Sequence, residues 1–179
     1  MKSAVLARIA EAQGQRRSLV VVTRLADGAQ CLLDADSCDG ELLLSAEQMS
    51  EARSLLGAGR STARAGADGL FARAYVPSPR LLIVGAVHIA QALVPMAAMT
   101  GYDVAVIDPR RAFGSDARFP NVQVSSDWPD EALTKLKPER GTAVVTLTHD
   151  PKLDDPALAV ALKSDCFYIG ALGSRRTHE

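Results

Sequence analysis

The sequence predicts an α/β protein: a small α+β domain followed by a parallel sheet of about five strands with helices on both faces. Three observations predict it. From Leu81 onward, short apolar strands alternate with helix-like segments, the pattern of βαβ units with right-handed crossovers. Three of those strands end in loops bearing Gly, Asp or Arg, at Gly85, Asp108 and Gly173. The rigid Pro77-Ser78-Pro79 separates this region from an N-terminal half of different pattern. The predicted domains are therefore 1–76 and 77–179.

In the first domain, residues 4–12 read as a helix with Val5, Leu6 and Ile9 on one face. Ser18 to Thr23 is a β-branched run, Ala26-Asp27-Gly28 is a turn, and Gln30 to Leu33 returns as the second strand of a hairpin. Ser45-Ala46-Glu47-Gln48 is a capping-box pattern that opens a helix to about Leu56, ended by Gly57 and Gly59. Leu70 to Val76 alternates as a strand.

In the second domain, strand 81–84 meets Gly85, and a helix runs to about Thr100, with Gly101 as its C-terminal cap. Pro95 lies inside that helix, so a kink or a compensating contact is expected. Strand 103–107 ends in Asp108, and a weak strand covers 121–124. Trp128-Pro129-Asp130 opens a short helix with proline in its first turn. Strand 142–147 ends in Thr148-His149-Asp150. Asp155-Pro156 is expected to start a helix to about Lys163, before a last strand at 166–169.

Composition narrows the function. A net charge of −1 argues against nucleic acid as a partner, and no apolar run reaches the ~18 residues of a membrane span. Cys31, Cys38 and Cys166 are an odd number without CxxC spacing, which points to a reducing cytoplasm rather than a disulfide scaffold. The acids Asp34, Asp36, Asp39 and Glu41 do not form a calcium loop, because Asp39 and Ser45 stand where Gly and Glu are needed. They read as a solvated loop. Cys31 and Cys166 read as packing residues. No histidine pair has zinc spacing.

The candidate site lies at the strand ends. Gly85 and Ala90 match the first and third small positions of a dinucleotide fingerprint, but Val87 stands where the second glycine lets a pyrophosphate approach. The helix N-terminus there still offers an anion site. Asp108, 23 residues after Gly85, is placed to hold a ribose or the amino edge of a pterin, or else to cap the turn before Pro109. Arg110, Arg111, Arg175 and Arg176 supply guanidinium groups suited to phosphate. Gly173-Ser174-Arg175-Arg176 is the more specific cradle. His88 and His149 line the same crevice, with Thr148 and Asp150 flanking His149.

Taken together, these residues resemble the XdhC/CoxI family, accessory proteins of xanthine dehydrogenase and related molybdenum hydroxylases. The likeness is strongest over Pro79–Glu179. It rests on the segment from Pro79 to Leu93, on Val106-Ile107-Asp108-Pro109-Arg110, on Leu147-Thr148-His149-Asp150, and on the run from Phe167 to His178. The resemblance implies a Rossmann-type C-terminal domain. It also implies a chaperone that binds molybdenum cofactor (molybdopterin) as cargo during its sulfuration and delivers it to the apo-hydroxylase. The implied partners are the hydroxylase and a cysteine desulfurase. The family's N-terminal Gly-Gly-Cys-Val-Glu segment is replaced here by Glu41-Leu42-Leu43-Leu44-Ser45, so thiolate ligation at that point is not carried over. The family also continues past this chain's last strand with a helical segment. A fragment or a shortened gene is expected, with a sheet edge open to pairing in a homodimer.

The reading from sequence is thus a cytoplasmic cofactor chaperone, not a catalyst. Its cofactor-binding candidates are Gly85, His88, Asp108, Arg110, His149, Asp150, Gly173, Ser174, Arg175 and Arg176. Two alternatives stay open: an NAD(P)-dependent oxidoreductase, and an interaction module with a vestigial nucleotide site.

Overall fold

The computed structural model describes residues 3–58, 63–66, 68–110, 114 and 117–173. The chain divides into two compact units, Met1–Pro77 and Ser78–Glu179.

The first unit is an antiparallel sheet with a helix on each face. Its strands are β1 (Leu19–Arg24), β2 (Gln30–Leu33), β3 (Cys38–Gly40), β4 (Ala63–Ala65) and β5 (Leu70–Tyr75), in the order β3-β2-β1-β5-β4. Strand β1 is central, and its alternate residues bury against opposite helices. Leu19 and Val21 meet Val5, Ile9 and Ala12 of α1 (Ser3–Gly14). Val20 and Val22 join Cys31, Leu33, Leu42, Ala52 and Leu55 under α2 (Ala46–Ser54) and the 3-10 turn that follows it. The β1–β2 hairpin turns at Gly28, at φ +74°. Ser45 and Gln48 complete the capping box of α2 reciprocally, side chain to backbone in both directions.

The short strands β3 and β4 escape the sequence pattern because all of their residues are exposed. The acidic stretch forms a tight turn closed by Asp34, whose carboxylate accepts the N–H groups of Asp36 and Ser37. It then becomes edge strand β3. Gly40 ends that strand at φ +146°, where a Cβ would stand 2.5 Å from the Gln30 carbonyl oxygen.

The second unit is a parallel sheet of β6 (Arg80–Val84), β7 (Asp103–Ile107), β8 (Gln123–Ser125), β9 (Thr142–Thr146) and β10 (Tyr168–Ala171), in the order β10-β9-β6-β7-β8. Helix α3 (His88–Met99) covers one face. Helices α4 (Pro129–Leu136) and α5 (Pro151–Ala161) cover the other. Every residue of β6 is buried, as a central strand packed on both sides requires. Leu81 and Ile83 face Ala90 and Val94 of α3, and Leu82 and Val84 face Leu133, Ala157 and Ala161. The strand order reverses direction between β6 and β9, the place where open α/β sheets bind ligands, at the C-terminal ends of the strands.

Helix α3 runs through Pro95 without interruption, with that proline on its exposed side. It ends in a Schellman motif at Gly101 (φ +89°): Gly101 N–H donates to the Ala98 carbonyl, and Tyr102 N–H to that of Ala97. Arg80 is buried, and its guanidinium donates to the Leu136 and Lys137 carbonyls at the end of α4. It thereby ties the first strand of the unit to a helix nearly sixty residues on.

One boundary differs from expectation. Helix α5 begins at Pro151, not at Asp155-Pro156, and Pro156 lies inside it. Asp150-Pro151 is the better start, because Asp150 accepts the Lys152 N–H as N-cap and Pro151 takes the position where a missing N–H costs nothing. The last strand is also shifted two residues, to Tyr168–Ala171.

Candidate functional site

At the β6/β9 reversal the loop after β6 meets the loop after β9. Gly85 is at φ +111°, and a Cβ there would stand 2.7 Å from the Thr148 methyl. Glycine is therefore required twice at this position, for its backbone conformation and for the close approach of the two loops. Val87 is the N-cap of α3 in an ordinary extended conformation (φ −87°, ψ 178°), with its side chain partly packed on the α3-side core. It gives α3 no side-chain cap, so the first-turn N–H groups lack that partner.

Asp108 is almost completely buried. One carboxylate oxygen accepts the Arg110 backbone N–H at 3.0 Å and Arg110 Nε at 2.9 Å. The other accepts the Ala86 N–H at 2.9 Å and Arg110 Nη2 at 2.8 Å. A carboxylate has about four acceptor positions, and all are taken. Burial pushes the Asp108 carboxyl up, but the Arg110 fork and the two backbone N–H groups outweigh it, so it lies below the usual carboxylate range. Of the two roles expected for this residue, the geometry here is that of the turn cap.

Arg110 is likewise committed. Its hydrogen bond to Asp108 holds it protonated against burial, and the charges of Asp108, Asp150 and Asp154 add to the effect. This guanidinium is engaged by Asp108 through Nε and Nη2, which leaves it less able to grip a phosphate.

In the loop after β9, Thr148, His149 and Asp150 form a knotted turn. The Thr148 hydroxyl donates to Asp154 at 2.7 Å and accepts the Asp150 N–H at 3.0 Å, and the His149 N–H donates to the second Asp154 oxygen at 2.9 Å. His149 is left-handed (φ +59°) with its side chain exposed. Asp150 caps α5 with one oxygen, and the other accepts no hydrogen bond among the described residues. At the last rung of β9, Thr146 Oγ1 is fully buried with no hydrogen-bond partner among the described residues.

The structure thus brings Gly85, Asp108, Arg110, His149 and Asp150 to neighbouring loops at one edge of the sheet. His88 is exposed at the first residue of α3. Gly173 is half-buried just past β10, whose pairing continues through the Leu172 N–H to the Thr146 carbonyl. Arg111, Ser174, Arg175 and Arg176 lie outside the described residues. Sequence reasoning missed Asp154, which only the recognition of Asp150 as a helix cap would have drawn into the site. Among the described residues no three His, Cys, Asp or Glu side chains are arranged to hold a metal ion. Among them too, no helix is long and apolar enough to cross a membrane.

Comparison with known proteins gives three findings. Residues 81–179 match the model of the XdhC Rossmann domain. Over 102 residues the chain is 37% identical to a molybdenum cofactor insertion chaperone, PaoD, of Escherichia coli, and over 106 residues it is 31% identical to a probable xanthine dehydrogenase component of Bacillus subtilis. These matches cover 57% and 59% of this chain but only 26% and 32% of the relatives, so the shared part is about a quarter to a third of their length. A crystal structure of a xanthine dehydrogenase from Bacillus halodurans superposes with a TM-score of 0.76 at 23% identity, over 98% of this chain and 54% of that one. At that identity the likeness speaks to fold alone.

Proposed function

We propose, from the premise that the chain belongs to the XdhC family through its Rossmann domain, that it binds molybdenum cofactor and serves its insertion into a xanthine dehydrogenase-type hydroxylase. The observation that carries this reading is the sheet edge at the β6/β9 reversal, where the Gly85 loop closes on Thr148. It offers an uncapped helix N-terminus on one loop and acidic side chains on the other.

The two ends fit the two ends of a pyranopterin. The first-turn N–H groups of α3 suit the phosphate, with Ser174, Arg175 and Arg176 as its further partners. The open oxygen of Asp150 suits the amino-pyrimidine edge, a donor that Asp108 has no acceptor left to receive. His88 and His149 flank this edge. The cofactor is cargo in this reading, and the chain positions it without catalysis. The apo-hydroxylase and a cysteine desulfurase are its partners, and a second copy would pair along the exposed edge of β10. The saturation of Asp108 counts against the ribose contact on which the NAD(P) alternative rests.

The test is co-elution of the anaerobically purified chain with molybdenum cofactor released from a donor enzyme, scored by molybdenum content and pterin fluorescence. An NAD thermal-shift assay runs in parallel. Stoichiometric pterin that is lost in Asp150→Asn and in an Arg175→Ala/Arg176→Ala variant is the expected result. A thermal shift with NAD and no retained pterin would move the chain to the oxidoreductase class, and neither signal would favour the interaction module.

A further inference from the structure

We infer that Asp154 is a positioning residue of this sheet edge, which sets the conformation of the Thr148–Asp150 loop on which ligand contact depends. The inference rests on the cofactor reading above and names a residue outside every motif that led to it.

Asp154 is 8% exposed, in the first turn of α5. A first-turn carboxylate suits the helix dipole wherever it points, but a buried one is retained only where it is hydrogen-bonded. Each of its oxygens takes one donor from the loop: the Thr148 hydroxyl at 2.7 Å and the His149 N–H at 2.9 Å. The same hydroxyl accepts the Asp150 N–H, so three consecutive loop residues are held through one side chain. His149 is at φ +59°, an uncommon conformation for a residue other than glycine, and its N–H is fixed there by Asp154. Thr148 in turn is the residue against which Gly85 closes. Asp154 thus fixes where the His149 ring and the open Asp150 oxygen lie relative to the loop after β6. It touches no ligand in this arrangement, and its effect passes through the loop.

The experiment compares wild type with Asp154→Leu, Asp154→Asn and Thr148→Val in the full chain. Molybdopterin affinity is read by pterin fluorescence, and amide hydrogen exchange at His149 and Ile83 by NMR. Asp154→Leu and Thr148→Val should each weaken molybdopterin by about tenfold, the size of one charge-assisted hydrogen bond. Their double variant should be no weaker than the worse single one, because both open the same clamp. His149 exchange should quicken in Asp154→Leu while Ile83 stays protected. Asp154→Asn, which can still accept the His149 N–H and donate to Thr148 Oγ1, should restore binding. If Asp154→Leu fails to fold, Thr148→Val carries the same test.

Affinities equal to wild type, or additive losses in the double variant, would overturn the inference. A wild-type chain that binds no molybdopterin, while His149 exchange still differs between variants, would overturn the cofactor reading and the loop's role toward it together.

Discussion

The Arg110 side chain engages both oxygens of Asp108, and the backbone N–H groups of Ala86 and Arg110 take the remaining acceptor positions. This pair clips the loop after β6 to the loop after β7. A carboxylate at the C-terminal edge of the sheet is spent here on holding the edge together.

Asp108→Asn should therefore destabilise the second unit. The loss should be about 1–3 kcal/mol, below that of a fully buried pair because Arg110 is 37% exposed. A lower urea midpoint at unchanged slope would show it. The sign of the pH dependence follows from the depressed carboxyl. Its contribution is present above the unfolded value near about 4 and is lost as pH falls through the lower folded value. The gap between wild type and variant should close in acid.

Gly85→Ala should cost about 1–3 kcal/mol from backbone conformation alone, with the Thr148 contact adding to it. Adding Thr148→Ser, which removes the obstructing methyl but keeps the hydroxyl, should recover part of the loss. A double-mutant cycle in urea measures the coupling.

Val87→Gly restores the missing fingerprint glycine. Because Asp108 has no acceptor left for a ribose, no NAD thermal shift should appear. The variant should instead lose apolar packing on the α3-side core and melt earlier.

Cys31 is fully buried, and burial together with neighbouring Cys38 pushes its thiol from 9.0 up to about 12. A raised value means that its stability contribution is whole below the unfolded thiol's pKa and is lost as pH rises. The first unit should weaken between about pH 9 and 12, and Cys31→Ser should flatten that limb. With a thiol reagent, exposed Cys38 should react in the native protein and Cys31 only on unfolding.

The strands and helices that are legible in sequence are those with a buried face. β1, β6 and β9 show as β-branched or aliphatic runs because both their faces are covered, and the α2 capping box and the Gly101 cap are local chemistry. β3 and β4 have no buried residue and leave no periodicity. The start of α5 is misplaced from sequence because Asp150-Pro151 and Asp155-Pro156 carry the same signal, and only the cap hydrogen bond separates them. In the site, spacing brings Gly85, Asp108 and Asp150 to one edge. Spacing does not reveal that Asp108 is satisfied internally, or that Asp154 reaches back to Thr148, since both depend on side-chain direction across loops.

The central position of β6 has a consequence for synthesis. Its Arg80 side pairs with Thr142, 62 residues later. At ordinary translation speeds that interval lasts about 3–12 s. Throughout it, Leu81-Leu82-Ile83-Val84 has left the ribosome with one hydrogen-bonding flank unmatched, an adhesive segment whose safety on a nascent chain depends on how soon β9 arrives.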